Sequence, residues 1–512
     1  MQSSATVIAR PAVRVPAPIP VPGAEAGWGR YQWCYWPACA VFALLLAVTT
    51  SLTPHRVWGV CAALGYALAA VQARRSGRAW SRAALTASAV GAVLVPLVLL
   101  IAAGAAQAEV GVVERSGRLL LDSGSPYVPH PVGVQDINPY LPGMAVFGIP
   151  RALFGDTPLA DARLWFGAAF LISMVFAAWH AGYAARARHA AGARGSTRPT
   201  PPADAVLLLA GFPAVALPLA VGGVDLPVIG LMCLGLALAA RGGSGTAAGL
   251  AMGAAAALKW TAWPLLPVGL ALQAVTAGRR AAGRAAVTSL LAAALAVVPV
   301  ALADPHSFVR HVVLFPLGEG GIHSPATSPL PGYLLATYVP GGFALALGAL
   351  VAGAAAVAVS LLVRPPRTAS AAANRLALGL GLAMCLMPAT RFGYLVYPLV
   401  LCAWFRPGRN KESAVSSAPG GRAPGRPTNG HLSRVAALAI AALIAAHFIP
   451  SAKQTPHTAE PKPRAGAAAQ ATAHSAAYPR DRHSCFCPCP VDQWTSGALF
   501  PSAGPDRLAA SA

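Results

Sequence analysis

Four charged residues stand where charge is costly. Glu109 comes directly after the apolar run 83–106, Asp225 interrupts AVGGVDLPV, Lys259 interrupts AGLAMGAAAALKWTAWPLLPVGLAL, and Arg391 lies in MPATRFGYLVYP. A carboxylate at a membrane boundary, with part of its surroundings dry, is a better proton acceptor near neutral pH, which makes Glu109 a candidate general base. An ionisable group inside an apolar segment is a functional hypothesis by default, and the natural partner of a lysine there is an anion such as phosphate. Lys259 is one of four lysines, and Lys411, Lys453 and Lys462 all fall in polar stretches near the C-terminus. With Asp225 and Arg391 at two further turns, both signs of charge gather around one outer face, as phosphate-leaving-group chemistry requires. Plainer readings stand beside these: an interfacial acid ending a helix, a lysine snorkelling to the interface, and turn residues.

Residues 107–161 hold six of the sixteen acids of the chain, Glu109, Glu114, Asp122, Asp136, Asp156 and Asp161, in one predicted external loop. Its Gly-Ser-Pro-Tyr (ending at Tyr127) and Asn-Pro-Tyr-Leu-Pro (with Tyr140) are turn formers, because residues before proline are pushed out of the helical region. Tyr127, Asp136 and Tyr140 are candidate substrate-binding residues, with a solvated turn as the alternative for Asp136. The short apolar piece 143–154 could lie in the interface plane. A second external loop, 303–335, carries Asp304, His306, Arg310, His311, Glu319 and His323.

The elements that must position these groups are set by composition. Of 512 residues, 56% are hydrophobic and 11% charged, against about 25% charged in a soluble domain. A water-soluble fold is excluded, and an all-α polytopic integral membrane protein is expected. Apolar stretches fall near 33–52, 57–73, 83–106, 162–184, 204–222, 226–240, 245–258, 261–276, 284–302, 336–363, 374–389, 393–405 and 434–449. That is about 13 segments (11–13), and 226–240, the 245–276 pair and 393–405 are short enough to need tilting or breaking. No apolar core of signal-peptide length opens the chain, so the first segment reads as a retained anchor. The net charge of +22 suggests a polyanion partner until it is mapped. With a cytoplasmic N-terminus, 24 of the 38 basic residues fall inside, which is an orientation signal and argues against nucleic acid. The expected layout is a disordered cytoplasmic segment 1–32, a membrane domain 33–405, a cytoplasmic linker 406–433, a last helix 434–449 and a disordered external tail 450–512. Six cysteines lie in or beside apolar segments, and Cys485, Cys487 and Cys489 form C-F-C-P-C, unlike a zinc knuckle. No motif predicts a cofactor or a bound metal.

An acid at the first large outer loop, then L-L-x-x-G-x-P-Y within Leu119–Tyr127, then Asn-Pro-Tyr-Leu-Pro at Asn138–Pro142, resembles the polyprenyl-phosphate-mannose-dependent glycosyltransferases of family 87, in the GT-C class. Residues 235–267, which contain LALAARGGSGTAAGLAMGAAAALKWTAWPLLP, are similar to the family's small-residue helix and Ala-Leu-Lys segment. The resemblance covers roughly 105–400. It implies a GT-C-like membrane fold, a lipid-linked sugar phosphate as donor, a glycan or glycolipid hydroxyl as acceptor, and work at the outer face of a bacterial plasma membrane among membrane lipids. It also implies that Glu109 takes the acceptor's proton, and that Lys259 stabilises the departing phosphate. The family's carboxylate is normally Asp, its Gly-Gln is here replaced by Gly223-Val224-Asp225, and its late Trp/His motif is missing, with Arg391 nearby. The competing expectations are a transporter or lipid flippase, for which broken helices and an intramembrane lysine also fit, and a non-catalytic membrane scaffold.

Overall fold

The structure, a computed structural model, describes residues 32–190, 202–318, 321–322 and 324–405, without the side chains of 181–190 and 202. All but the last residue of the segment expected at 1–32, and those expected at 406–433, 434–449 and 450–512, with Glu319, His323 and the C-F-C-P-C cysteines, lie outside the described residues. Among the described residues every apolar stretch is helical, and the one β interaction is an isolated parallel bridge between Thr327 and Thr390.

Among the described residues seven helices are long and apolar enough to cross a membrane: Gln32–Thr49, Thr53–Ser76, Arg82–Ala102, Ala162–His180, Arg279–Ala303, Gly342–Val363 and Ala369–Leu386. Among the described residues the helices long enough to span therefore number seven, or eight with one bent pair, against the expected count of about thirteen, whose last segment, 434–449, lies outside them. The stretch expected at 204–222 is that pair, Ala203–Ala210 and Pro213–Val221, bent by 78°. Pro213 has no N–H to carry a helical ladder through the break, and the buried carbonyl of Gly211 accepts from the Tyr66 hydroxyl at 2.9 Å. Asp225–Arg241, Thr246–Leu258, Leu265–Ala277 and Val396–Trp404 are helices of 17, 13, 13 and 9 residues. At about 1.5 Å rise per residue, the three shortest fall well short of a 30 Å hydrocarbon core.

Two prolines disrupt helices, and in each case a tryptophan repairs the loss. Pro96 cannot donate to Ala92 and Pro316 cannot donate to Val312, four residues earlier in each sequence. Each proline follows a π-helical turn, Val90–Leu94 and Val309–Leu314. The Ala92 carbonyl accepts from Trp58 Nε1 at 2.8 Å, and the Val312 carbonyl from Trp260 Nε1 at 3.2 Å. A freed carbonyl away from water must find such a partner.

The helices around the core pack closely where side chains are smallest. Gly249 and Gly253 let Thr246–Leu258 lie against Arg279–Ala303, since a Cβ at either would come within 2.5 Å of the carbonyl of Ala285 or Ser289. Asp225–Arg241 packs against Ala162–Ala190 on one side and Thr246–Leu258 on the other. It therefore runs through the main buried cluster, which includes Phe166, Phe170, Met232, Leu236, Met252 and Tyr397.

Candidate functional site

The two acids and the two cations are built on two repeated local designs. Glu109 is in the first turn of the helix Ala108–Ser123, and Asp225 is in the first turn of Asp225–Arg241. A helix N-terminus favours a negative side chain there. The cations instead sit on extended residues just ahead of a 3-10 turn: Lys259 (φ −159°, ψ 144°) before Trp260–Ala262, and Arg391 (φ −128°, ψ 141°) before Phe392–Leu395.

Each extended residue is fixed by its neighbours. The helix ending at Leu258 leaves carbonyls without helical partners. The Ala256 carbonyl accepts from Trp263 Nε1 at 3.1 Å, and the Leu258 carbonyl from the Leu141 N–H at 3.1 Å. Gly143 packs against this turn, where a Cβ would come within 2.7 Å of the Ala257 carbonyl. Around Arg391, Thr390 N–H donates to Ala326, Ser328 N–H donates to Thr390, and Phe392 N–H donates to the Ser328 hydroxyl.

The four charges meet as two ion pairs. Arg391 Nη1 bonds Glu109 Oε1. Lys259 Nζ bonds Asp225 Oδ1 at 2.5 Å, and the same oxygen accepts from the Tyr397 hydroxyl at 2.7 Å. Thr261 donates to Tyr397 in turn, at 2.8 Å. The Lys259 ammonium lies 5.3 Å from the Tyr140 ring centroid and 5.0 Å from that of Tyr394, within cation–π range. Burial pushes the Tyr140 phenol well above its ordinary value, and the negative charge of Glu109 adds to the shift. Tyr140 therefore keeps its proton.

A family model for glycosyltransferase family 87 matches residues 138–388. Over that stretch, just under half of the chain, the protein is similar to glycosyltransferase family 87, and this likeness marks it as a glycosyltransferase. No curated protein and no solved structure matches it. The match begins at Asn138, so Tyr140, Asp225 and Lys259 lie within it, while Glu109 lies well before its start and Arg391 just past its end.

In this glycosyltransferase the structure thus brings together Glu109, Tyr140, Asp225, Lys259 and Arg391. Tyr127 and Asp136 stand apart from the charges. The Tyr127 hydroxyl donates to the Tyr140 carbonyl at 3.0 Å, and its ring stacks on His311, so it supports Tyr140 from behind. The Asp136 carboxylate closes its own turn, accepting from the Val132 and Gly133 N–H groups at 3.1 Å each.

Sequence reading missed Thr261, Tyr394, Tyr397 and Arg163. The signal for the tyrosines was present, since Arg391, Tyr394 and Tyr397 follow one another at intervals of three, the spacing of one helical face. Arg163 carried no such signal. Its buried guanidinium is held by Asp161 at 2.6 and 2.8 Å and donates to the Ala105 carbonyl at 2.7 Å, while its stem lies against Gly222. It therefore clamps the turn before Glu109 to the turn before Asp225, which are also joined by Gln107 N–H donating to Val221 at 3.1 Å.

A cavity of about 430 Å³ lies far from these charges, lined by Arg241, Ser244, Ala248 and the glycines between. It sits at the opposite end of Asp225–Arg241, about 24 Å away along the helix. Among the described residues no group of three His, Cys, Asp or Glu side chains is placed to hold a metal ion.

Proposed function

We propose that this glycosyltransferase transfers a sugar, mannose by its resemblance, from a polyprenyl-phosphate donor to a hydroxyl of a glycan or glycolipid at the outer face of a bacterial plasma membrane. The observation that carries the reading is the meeting of Glu109, Arg391, Lys259 and Asp225, which come from four separate parts of the chain. Glu109 is the general base: the acceptor oxygen attacks the sugar C1, its proton passes to the carboxylate, and the C1–O bond to the lipid phosphate breaks. The electron pair goes to the phosphate oxygen, and the departing polyprenyl phosphate is met by the cation of Arg391, with Lys259, held on Asp225, adding a fixed positive charge nearby. Fixed charges aimed at a developing anion in a water-poor site are usually the largest single contribution to such a rate. Tyr140, kept protonated, supplies a hydrogen-bond donor and a ring face beside the sugar.

A transporter or flippase would need charge at the membrane midplane, whereas these charges cluster at one end of the helices. The two readings part on the product. Membranes containing the protein, given a labelled polyprenyl-phosphate sugar and an acceptor glycolipid, form a new labelled glycoside if the proposal holds. Labelled donor that crosses the bilayer with no new glycosidic bond contradicts it.

A further inference from the structure

The two ion pairs of the site are held very differently. Lys259 is closed in, with its side chain 11% exposed, by Asp225 on its ammonium and by the Tyr140 and Tyr394 rings. Asp225 is also bonded by Tyr397, which is bonded by Thr261. Taking Lys259 away from its carboxylate means dismantling a network of several groups. Arg391 is 40% exposed, and its partner Glu109 is 25% exposed. Its guanidinium presents a planar fork of five donors, a shape that fits a phosphate two-pronged, and Glu109 engages Nη1.

A phosphate arriving at Arg391 has the same sign as the Glu109 carboxylate and the same hydrogen-bonding demand. Both anions would draw on the same guanidinium, and two anions side by side repel. We infer that the Glu109–Arg391 pair is a gate opened by the donor: its phosphate displaces the Glu109 carboxylate from Arg391, and this exchange frees the base for the acceptor. The Asp225–Lys259–Tyr397 network stays closed throughout and serves as the frame against which the exchange occurs. The donor therefore binds before the acceptor, and Glu109 is uncovered only when a leaving group is in place. This inference rests on the donor proposed above.

The test is equilibrium binding to the full-length protein in lipid nanodiscs, comparing a polyprenyl phosphate with the uncharged polyprenol of the same length. The wild type should prefer the phosphate by about tenfold or more, as expected when a charge-assisted contact is gained. Glu109→Gln removes the competing anion and should bind the phosphate several-fold more tightly than the wild type, with polyprenol binding unchanged. Arg391→Gln should lose the preference, and Arg391→Lys should keep part of it. Polyprenol binding needs the fold but not the charge, so it separates misfolding from loss of the phosphate contact, and Arg391→Lys decides the matter if Arg391→Gln does not fold. Phosphate binding that Glu109→Gln leaves unchanged or weakens, or a preference that Arg391→Gln retains, overturns the gate alone. A wild type with no preference for the phosphate overturns the proposed donor as well.

Discussion

Arg391 and Glu109 are 282 residues apart in the sequence, yet a guanidinium nitrogen of one bonds a carboxylate oxygen of the other. The contact joins the turn after Ala369–Leu386 to the first turn of Ala108–Ser123. It brings the one acid predicted as a base to the edge of a second, more deeply set ion pair.

That second pair should behave as a unit. Asp225→Asn leaves the Lys259 ammonium buried with no opposite charge, and removing one partner of a buried pair costs about 3 kcal/mol or more. The purified variant should melt several degrees below the wild type in detergent. The double variant Asp225→Asn with Lys259→Met should recover much of that loss, because neither charge is left unpaired. A double variant that melts as low as the single one would show that the pair is not coupled.

The repair of Ala92 by Trp58 can be tested in the same way. Trp58→Phe leaves that buried carbonyl unbonded, at a cost of about 1–3 kcal/mol. Pro96→Ala supplies an N–H that can bond Ala92 within the helix, so Trp58→Phe should cost clearly less in a Pro96→Ala background. Equal costs in both backgrounds would mean that the indole contributes packing alone.

His311 gives a pH prediction. Its Nδ1 accepts from the Asn138 N–H at 3.0 Å, and its Nε2 donates to the Val128 carbonyl at 2.8 Å, an arrangement that needs the neutral ring. Burial pushes its titration below the ordinary histidine value, with Arg310 in the same direction and the Val128 contact, Asp304 and Asp136 opposing. A group whose folded value is depressed contributes stability that is fully present above the unfolded value, near 6.5, and is lost as pH falls from there. Melting temperature should therefore drop between pH 7 and pH 5, and His311→Gln should flatten that slope. A slope unchanged by the substitution would assign the effect to other groups.

How much of this was legible in the sequence follows from range. Glu109, Asp225, Lys259 and Arg391 each stand out because a charge in an apolar setting is costly, and that cost is local. The helices were legible for the same reason, since apolar runs of the right length declare themselves. Span number was not, because Gly211, Phe212 and Pro213 turn one apolar run by 78°, and because runs of 13 residues are helical without being long enough to cross. The pairing of Glu109 with Arg391 and of Asp225 with Lys259 was also hidden, as it depends on which turns meet in space. Arg163 reads as one more basic residue in an outer loop, and only its bonds to Asp161 and Ala105 show that it joins two turns of the site.

The most direct test of the proposed chemistry is sugar transfer by Glu109→Gln, at wild-type protein level, from a polyprenyl-phosphate sugar in reconstituted membranes. Removing a general base lowers a rate by roughly 10²–10⁴-fold, so transfer should fall to background while the donor still binds. Transfer at the wild-type rate would contradict the assignment of Glu109 as the base.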